Sequence, residues 1–360
     1  MLIDIQTASP PYKVPQGLAK EELKKRMGEK PAVSRMIDMA AHYSGIDYRY
    51  VVVPDTDPEA KDKFYTDGVS FLRPDTNSRM AQYETWSRQL TKEAVGKVLS
   101  ANNYEGEDIE RLITISCTGF FAPGLDYHLI NEFGIPASVK RTNIGFMGCA
   151  ASLIGVNTVL EAMNSTNGNN LNTLLVSVEL CSLHLQTQPT RDNILANTVF
   201  ADGCGAALFS RDKPAKLVPV STDSVLFENT AGAMGWKIGN FGFEMMLSSD
   251  IPKMIIESAA PKLIEILNAK NISPDKIKYW ALHPGGRAIL DALQKGLKIN
   301  EDKMEPSRKV LKNFGNMSSA SILFVLKEII DNYKIDKDDY CCAVAFGPGL
   351  TMEVALFKGA

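Results

Sequence analysis

The sequence has no excess of positive charge and no long apolar run. It contains 39 lysines and arginines against 42 aspartates and glutamates, for a formal net charge of -3. A nucleic-acid or membrane-surface partner would favour a basic balance, so neither partner is expected. A transmembrane helix needs about 18 consecutive apolar residues, and the N-terminus lacks the basic and then apolar pattern of a signal peptide. We therefore expect a soluble cytoplasmic protein without a membrane span, whose partners are small molecules or other protein chains.

Cysteine and histidine are also scarce, and their spacing is not typical of metal sites. The six cysteines include no CxxC pair, and none of the four histidines falls at ligand spacing from a cysteine pair. A small disulfide scaffold is therefore excluded, and we expect no zinc site. The cysteines are Cys117, Cys149, Cys181, Cys204, Cys341 and Cys342.

Hydrophobic residues make up 45% of the 360 positions, which is enough for one large core or two adjacent cores. Short apolar strand patterns alternate with amphipathic helical patterns, and this alternation predicts an α/β fold. The predicted strands are 112–116, 174–178, 206–209, 277–282, 342–346 and 352–357. The predicted helices are 150–163, 255–267 and 318–330.

The stretch 211–237 contains two prolines and a cluster of glycines, and it is the best candidate for a boundary. It divides the chain into an N-terminal half, 1–212, and a C-terminal half, 213–360. No exact repeat is visible, but a duplication at the level of the fold does not require one. The region 18–75 is more polar and helical, without a strong strand pattern.

Cys149 lies between a glycine and an apolar helical pattern. Gly148 permits a tight turn from strand to helix. A thiol at a helix N-terminus meets the positive end of the helix dipole, which favours the thiolate. Cys149 is therefore a candidate nucleophile, although buried free cysteines are common and a small packed residue would also suit this turn.

Two further polar residues stand at the ends of predicted elements. His283 follows an apolar strand and precedes Pro-Gly-Gly, so its ring is expected at the carboxyl end of a strand, where open α/β sheets form ligand crevices. Asn316 immediately precedes a predicted helix, where an asparagine also serves simply as an N-cap. Each residue has a structural interpretation as well as a functional one.

The sequence resembles the chalcone-synthase-like, or type III, polyketide synthases in four segments: GFMGCAAS (145–152), ALHPGG (281–286), NFGNMSSAS (313–321) and AFGPGLTMEVAL (345–356). The resemblance implies a thiolase-like fold, with a duplicated five-layered αβαβα architecture that is active as a homodimer. It also implies that Cys149, His283 and Asn316 form the catalytic group. A glycine-rich loop that shapes the cyclisation pocket falls on Gly347, Pro348 and Gly349.

The same resemblance implies an acyltransferase that uses CoA thioesters and needs no metal or redox cofactor. Cys149 would take an acyl starter from acyl-CoA, kept ionised by His283. Malonyl-CoA would lose CO2, and His283 and Asn316 would stabilise the enolate. The carbanion would attack the acyl group on Cys149, and repeated extension with ring closure would give a pyrone or a phenolic product.

Several pocket positions depart from the pattern of the chalcone-forming enzymes. The resemblance places one entrance phenylalanine on Phe200, but the second falls on Met245. The flexible methionine suits apolar chains of varied shape, so we favour an aliphatic starter over a coumaroyl one. The other predicted pocket residues are Cys117, Thr118, His184 and Trp236.

The source of the coenzyme A phosphate contacts is a second departure. The segment that carries the family's basic residues corresponds to 36–45, which contains no lysine. Phosphate binding needs positive charge or helix N-termini. Arg35 or Arg49, or nearby lysines such as Lys61 and Lys63, would then substitute; alternatively the starter arrives on an acyl carrier protein.

Other functions remain open from the sequence. A ketoacyl-ACP synthase III uses the same three residue types for a single condensation, and a Cys-His thioester or amide hydrolase would use the same nucleophile without malonyl-CoA. A thiolase would carry a second reactive cysteine near its C-terminus, but Cys341 and Cys342 lie within a predicted strand. A non-catalytic partner in a heterodimer would not need all three catalytic side chains.

Overall fold

The structure is a computed structural model, and it describes residues 1–28, 30–165 and 171–360. The strands are β1 (Leu2–Ala8), β2 (Tyr12–Pro15), β3 (Tyr48–Val51), β4 (Arg111–Ser116), β5 (Lys140–Gly145), β6 (Thr173–Leu180), β7 (Asp202–Phe209), β8 (Leu217–Leu226), β9 (Met234–Gly239), β10 (Gly242–Leu247), β11 (Ile277–Leu282), β12 (Tyr340–Gly347) and β13 (Thr351–Gly359). The helices are α1 (Gln16–Met27), α2 (Pro31–Tyr43), α3 (Thr76–Asn102), α4 (Leu125–Phe133), α5 (Ala151–Ser165), α6 (Arg191–Val199), α7 (Ile251–Met254), α8 (Ala260–Ala269), α9 (Arg287–Leu297), α10 (Glu301–Phe314) and α11 (Ser321–Asn332). A π-helical segment, Ile255–Ala259, joins α7 to α8.

In the described part of the chain, nine strands form one mixed sheet in the order β11-β12-β13-β8-β1-β7-β6-β4-β5. The sheet has two similar halves, which meet where β1 and β8 pair through Leu2 and Leu217. In the first half β1, β7 and β6 are antiparallel, and β4 and β5 then continue parallel to β6. In the second half β8, β13 and β12 are antiparallel, and β11 continues parallel to β12. The shared pattern is that of a duplicated unit.

Three hydrophobic clusters separate the structure into layers. One cluster places α5 and α11 between the two halves of the sheet, where Val156 and Val325 pack with residues of both halves such as Ile113 and Ala343. A second cluster packs α3 and α4 on the outer face of the first half. A third packs α8, α9 and α10 on the outer face of the second half. The order is helix, sheet, helix, sheet, helix, so the five-layered αβαβα prediction is confirmed.

Each strand and helix predicted from the sequence lies within or largely overlaps an observed element of the same type. The stretch 211–237, predicted as a boundary between the halves, also contains a strand that was not predicted. Residues Leu217–Leu226 form β8, which pairs with β13 over most of its length. Its proline, Pro219, stands beside an irregularity in the β8–β13 register, where the missing N–H is tolerated. In the region 18–75 the helices α1 and α2 are present, but the strand β3 was not expected and pairs with β2.

The N-termini of the two central helices, α5 and α11, lie close together. Helix α5 follows β5 and α11 follows α10, and each begins with a 3-10 turn, Gly148–Ala150 and Ser318–Ala320 respectively. The two 3-10 turns contact each other at the boundary between the halves. The duplication therefore brings two helix N-termini together between the two halves of the sheet.

Candidate active site

Cys149 is held in a strained turn between β5 and α5. Phe146 and Gly148 have φ values of 59° and 61°, in the left-handed region. A Cβ atom on Gly148 would lie 2.5 Å from Cδ of Pro348, so only glycine fits at this position. Strained backbone of this kind persists where the surrounding structure holds it, and it is common at functional sites.

Asn316 occupies the corresponding turn before α11. Gly315 and Ser318 have φ values of 73° and 45°. The Oδ1 atom of Asn316 accepts a hydrogen bond from the backbone N–H of Ser318 at 2.9 Å, and its Nδ2 donates to the carbonyl oxygen of Gly285 at 3.2 Å. The side chain therefore caps a turn, as the structural interpretation predicts, and it also reaches the loop that follows His283.

The two turns are in direct contact. The thiol of Cys149 donates to Oγ of Ser318 with a sulfur–oxygen distance of 3.6 Å. The hydroxyl of Ser152, in the first turn of α5, donates to the carbonyl oxygen of Ser319 at 2.6 Å. These contacts fix the position of the nucleophile candidate relative to Asn316.

His283 follows the end of β11, and its ring is buried. Its backbone N–H donates to the carbonyl oxygen of Val344 at 2.8 Å, which continues the β11–β12 pairing. Only 3% of the residue is exposed, and neither ring nitrogen has a hydrogen-bond partner among the described residues. A buried polar group without a partner costs about 1 to 3 kcal/mol, and because His283 lines a cavity, a bound group there can supply the missing partner.

Burial opposes charge on both members of the Cys149–His283 pair. Removal from water raises the pKa of the Cys149 thiol to about 12, and the hydrogen bond with Ser318 acts in the opposite direction. Removal from water also lowers the pKa of His283 to about 3. Both groups are therefore neutral near pH 7 in this structure. The predicted thiolate remains a prediction, and it requires the mutual attraction of the ions and the N-terminus of α5.

Cys149, His283 and Asn316 all line one cavity of about 260 Å³. Most of the other walls are apolar, and they include Leu195, Met234, Leu247, Ile251 and Phe346. The structure thus brings together three residues that are separated by 134 and 33 positions in the sequence (283 − 149 and 316 − 283).

Phe200 and Met245 stand between this catalytic cavity and a second cavity of about 110 Å³, since both residues line both cavities. His184 and Trp236 line the second cavity. Trp236 fixes one wall, because its Nε1 donates to the carbonyl oxygen of Cys117 at 2.8 Å. Of the predicted pocket residues, these four are at cavity walls.

His184 is a fully partnered, neutral side chain. Its ring stacks on Phe243 with centroids 4.2 Å apart. The Nδ1 atom accepts from the backbone N–H of Phe243 at 2.9 Å, so the proton lies on Nε2, which donates to the carbonyl oxygen of Thr118 at 2.7 Å. Burial lowers the pKa of His184 to about 3. These contacts favour a packing role over a part in cyclisation.

Cys117 and Thr118 line neither cavity, and instead form hydrogen bonds with residues next to the site. The sulfur of Cys117 accepts a hydrogen bond from the backbone N–H of Gly148 at 3.1 Å. The hydroxyl of Thr118 donates to Oε2 of Glu179 at 2.8 Å. Both residues therefore connect the end of β4 to the Cys149 turn and to Glu179.

Glu179, which sequence reasoning missed, joins these supports to α11. Its carboxylate accepts from the backbone N–H of Cys117 at 3.0 Å and from the hydroxyls of Thr118 and Ser319. Burial raises its pKa to about 7, while these hydrogen bonds act in the opposite direction. The available signal was an acidic residue inside an otherwise apolar strand pattern, which is rare unless the carboxylate has partners.

The predicted glycine-rich loop packs against the Cys149 turn. Pro348 lies over Gly148, and a Cβ atom on Gly347 would lie 2.8 Å from the carbonyl oxygen of Met147. The N–H of Gly349 donates to the carbonyl oxygen of Met234, a residue of the catalytic cavity, at 3.1 Å. The loop thus contacts the Cys149 turn and Met234, and it helps to hold these parts of the cavity wall in position.

The two arginines predicted to contact coenzyme A differ in exposure. Arg35 is exposed on α2. Arg49 is 9% exposed, and its guanidinium donates to the side chain of Gln16 and to the carbonyl oxygens of Asn197 and Phe200. The predicted contact of Arg49 with a phosphate does not fit this placement, because the residue is buried and two of its guanidinium nitrogens, Nε and Nη1, already donate to buried acceptors.

Two other arginines, which the sequence did not single out, line the catalytic cavity. Arg191 begins α6 and Arg287 begins α9. Their side chains are 50% and 53% exposed. They place positive charge on two walls of the cavity.

The described residues lack membrane-spanning helices and groups of metal ligands. No described helix is both long and apolar enough to cross a bilayer. No three His, Cys, Asp or Glu side chains of the described ranges are grouped so that they could hold a metal ion. All six cysteines are buried free thiols.

Comparison with known proteins identifies the family. Residues 62–218 match the family described as FAE1/Type III polyketide synthase-like protein, and residues 219–360 match the chalcone and stilbene synthases, C-terminal domain. The α-pyrone synthesis polyketide synthase-like Pks18 of Mycobacterium tuberculosis is 30% identical over 286 residues, which cover 78% of this chain and 72% of that protein. The chain belongs to the type III polyketide synthases.

Further relatives agree with this assignment. The 1,3,6,8-tetrahydroxynaphthalene synthase of Streptomyces peucetius is 30% identical over 283 residues, covering 77% of this synthase and 74% of the relative. The crystal structure of PKS-I from the brown alga Ectocarpus siliculosus has a TM-score of 0.91 and 28% identity, covering 100% of this chain and 98% of that one. The tetrahydroxynaphthalene synthase of Streptomyces coelicolor, a bacterial type III polyketide synthase, has a TM-score of 0.87 and 25% identity, and the coverage is 99% of both chains. The predicted family, its thiolase-like fold and its acyltransferase class are confirmed.

Proposed function

We propose that this synthase performs iterative decarboxylative Claisen condensations of malonyl-CoA onto an acyl starter carried by Cys149. The observation that carries the proposal is the convergence of Cys149, His283 and Asn316 on one largely apolar cavity, with both ring nitrogens of His283 unpartnered. A buried base and a buried thiol that line the same cavity suit thioester chemistry, which uses both groups.

In the loading step, the sulfur of Cys149 attacks the thioester carbonyl of the starter. His283 accepts the thiol proton, a new carbon–sulfur bond forms, and the carbon–sulfur bond to the leaving thiol breaks. The leaving thiolate takes the proton from His283. The N-terminal N–H groups of α5 favour the negative charge that develops on the sulfur.

In the extension step, malonyl-CoA loses CO2 and leaves an enolate. We assign the stabilisation of its oxygen to two donors, the Nδ2 group of Asn316, which donates to the carbonyl oxygen of Gly285 in the structure, and a ring N–H of His283. The enolate carbon attacks the acyl carbonyl on Cys149, a carbon–carbon bond forms, and the thiolate of Cys149 is released. Loss of CO2 drives each round, so the reaction needs no metal and no redox cofactor.

For the starter we propose an aliphatic acyl group, and for the product a pyrone or a phenolic ring. The support is the nature of the walls: Met245 and Phe200 separate the catalytic cavity from a second cavity whose lining includes Val14, Leu23 and Val53. A flexible methionine at this boundary adapts to alkyl chains more readily than an aromatic ring does. The starter is delivered on coenzyme A, with an acyl carrier protein as the alternative donor.

For the assembly we propose a homodimer, and for its location the cytoplasm. Within each chain we propose two thiolase-like halves, 1–212 and 213–360. Strand β5 is an edge of the large sheet, and edge strands without cover readily pair with another chain. The apolar side chains of Phe120 and Met147, near the Cys149 turn, are 43% and 41% exposed. An interface over this edge would cover both side chains.

The test is the ratio of CO2 released to starter consumed. The purified enzyme is incubated with alkanoyl-CoA starters and malonyl-CoA, and CO2 and products are measured together. The proposal expects two or more CO2 molecules for each starter and a cyclised product. One CO2 for each starter would instead establish a ketoacyl synthase, and free acid without CO2 release would establish a thioester hydrolase.

We also propose that the thiolate of Cys149 and the imidazolium of His283 form an ion pair. This is tested separately by the rate at which iodoacetamide alkylates Cys149 as a function of pH. If His283 stabilises the thiolate, His283→Ala shifts the alkylation profile to higher pH. An unchanged profile would remove His283 from this role.

A further inference from the structure

Helix α2 carries an exposed apolar face that nothing in the described chain covers. Met36, Met39 and Tyr43 are 39%, 60% and 60% exposed. Their spacing of three and four residues places them on one side of the helix, and we call this set the α2 outer face. The opposite side of α2 is already used, because Val33 and Ile37 pack against Ile194 of α6. The packing of α2 therefore leaves its outer face available.

The α2 outer face is continuous with the mouth of the catalytic cavity. Tyr43 lines that cavity, together with its neighbours Ala40 and Ser44. A thioester that enters toward Cys149 from this side passes the end of α2. Whatever delivers the thioester is therefore in position to contact the outer face.

Positive charge lies beside this face where it meets the cavity. Arg191 and Arg287 stand on two walls of the same cavity. Each is only loosely paired, with an acidic oxygen at 3.9 Å for Arg191 and at 3.6 Å for Arg287. Arg35 is exposed on α2 itself. The one acidic residue of the helix, Asp38, is turned away and paired with Lys20 and Lys24 of α1.

An apolar stripe flanked by arginines is complementary to an acidic amphipathic helix. Apolar side chains at this spacing are typical of helix-on-helix docking, and the flanking charges select the sign of the partner. A free nucleotide would not use the stripe, because phosphates bind cations and N–H groups rather than methionine and tyrosine side chains. The chemistry fits a small acidic protein that presents its thioester on a phosphopantetheine arm.

We propose that the α2 outer face is the docking surface for an acidic acyl carrier protein, which delivers the starter to Cys149. The inference rests on the proposed acylation of Cys149. The apolar face takes a helix of the carrier, the arginines take its acidic residues and the phosphate of its arm, and the arm enters the cavity past Tyr43. Malonyl-CoA uses the same mouth but does not need the outer face.

The test compares two donors of the same acyl group on the complete enzyme. Acylation of Cys149 is followed by intact-protein mass with dodecanoyl-CoA and with a dodecanoyl-loaded fatty-acid carrier protein. The variant Met36→Glu/Met39→Glu places two negative charges on the outer face without altering a residue of the cavity. The matched control is Val220→Glu, because Val220 is 44% exposed at the register irregularity of the β8–β13 pairing and does not line the catalytic cavity.

The proposal expects the wild-type enzyme to react faster with the carrier than with dodecanoyl-CoA. It expects the double variant to lose about tenfold in kcat/KM with the carrier, while its rate with dodecanoyl-CoA stays within about twofold. Val220→Glu should behave as wild type with both donors. The carrier reaction should also slow with added salt more than the CoA reaction does.

Other outcomes overturn the inference. Equal losses with both donors would show that the face serves the CoA route or the fold. A carrier rate no higher than the CoA rate, or one unaffected by the double variant, would exclude docking at this face. Binding of the wild type but not the variant to anionic vesicles, or loss of a dimer in the variant, would assign the face to lipid or to a second copy. Failure of both donors to acylate Cys149 would instead contradict the proposed function.

Discussion

The buried carboxyl of Glu179 should give the folded protein a distinctive pH dependence, which Glu179→Gln removes. Its pKa is raised by burial from an ordinary value of 4.5 to about 7. Between these two pH values the folded state holds a proton that the unfolded state has released. The free energy of unfolding contributed by this group therefore falls as the pH rises through this window.

The size of the effect follows from the width of the window. One proton held only by the folded state changes the free energy of unfolding by about 1.4 kcal/mol for each pH unit. Between pH 5 and pH 8 the carboxyl therefore accounts for roughly 2 to 3 kcal/mol of lost stability. Glutamine cannot titrate, so the variant should lack that part of the change.

The substitution itself has a moderate cost. The side-chain oxygen of glutamine can still accept from the N–H of Cys117, and the hydroxyl of Ser319 can turn to accept from the new amide. Above about pH 7, where the carboxyl of Glu179 is ionised, the charge-assisted bonds are lost, at about 1 to 3 kcal/mol. Unlike Glu179→Ala, the variant leaves no large set of donors unpaired, and it should fold.

Urea unfolding at pH 5 and pH 8 measures this effect. The quantity compared is the difference between the two free energies of unfolding, for wild type, Glu179→Gln and the exposed control Glu107→Gln. Other buried acids contribute equally to all three proteins and cancel. If wild type and Glu179→Gln show the same pH dependence, the account of Glu179 as a buried, titrating support of the site is wrong.

Further substitutions test the roles proposed for the site. Cys149→Ala should abolish acyl loading but retain slow malonyl-CoA decarboxylation, and unchanged product formation would exclude it as the nucleophile. Asn316→Ala should reduce CO2 release by about 10²- to 10³-fold while acylation continues, measured by CO2 trapping and protein mass; undiminished CO2 release would remove it from this role. Phe200→Ala should shift the preferred starter length in a competition assay, and an unaltered profile would leave Phe200 a packing role alone. Gly148→Ala should destabilise the fold by about 2 to 4 kcal/mol in urea, since its Cβ would meet Pro348 at 2.5 Å in a left-handed turn; wild-type stability would contradict that geometry.

The sequence predicts the parts of the structure that leave a local pattern. The central strands are continuous apolar runs, and α11 is apolar on nearly all sides because it lies between the two halves of the sheet. Cys149, His283 and Asn316 each drew attention by standing at the end of a predicted strand or helix, and the resemblance to the family then joined them into one catalytic group. Strand β8 was missed because its side chains are mostly half-exposed, and because Pro219 within it and Pro214 before it suggested a boundary.

Other features depend on contacts between distant segments, and no local pattern reports them. Arg49 was expected to bind a phosphate, yet its guanidinium is buried and donates hydrogen bonds to the carbonyl oxygens of Asn197 and Phe200. Thr118 was assigned to a pocket wall but bonds to Glu179, from the neighbouring strand. The sequence shows which side chains can form hydrogen bonds, but it does not show which distant residue the fold brings to each of them.

The location of the acyl group after loading tests the central claim most directly. The enzyme is mixed with an alkanoyl-CoA in the absence of malonyl-CoA, and the intact mass and the mass of the modified peptide are measured. The account predicts one acyl group for each chain, attached at Cys149, which malonyl-CoA then removes as extended product. An acyl group on any other residue, or extended product without an adduct at Cys149, would contradict it.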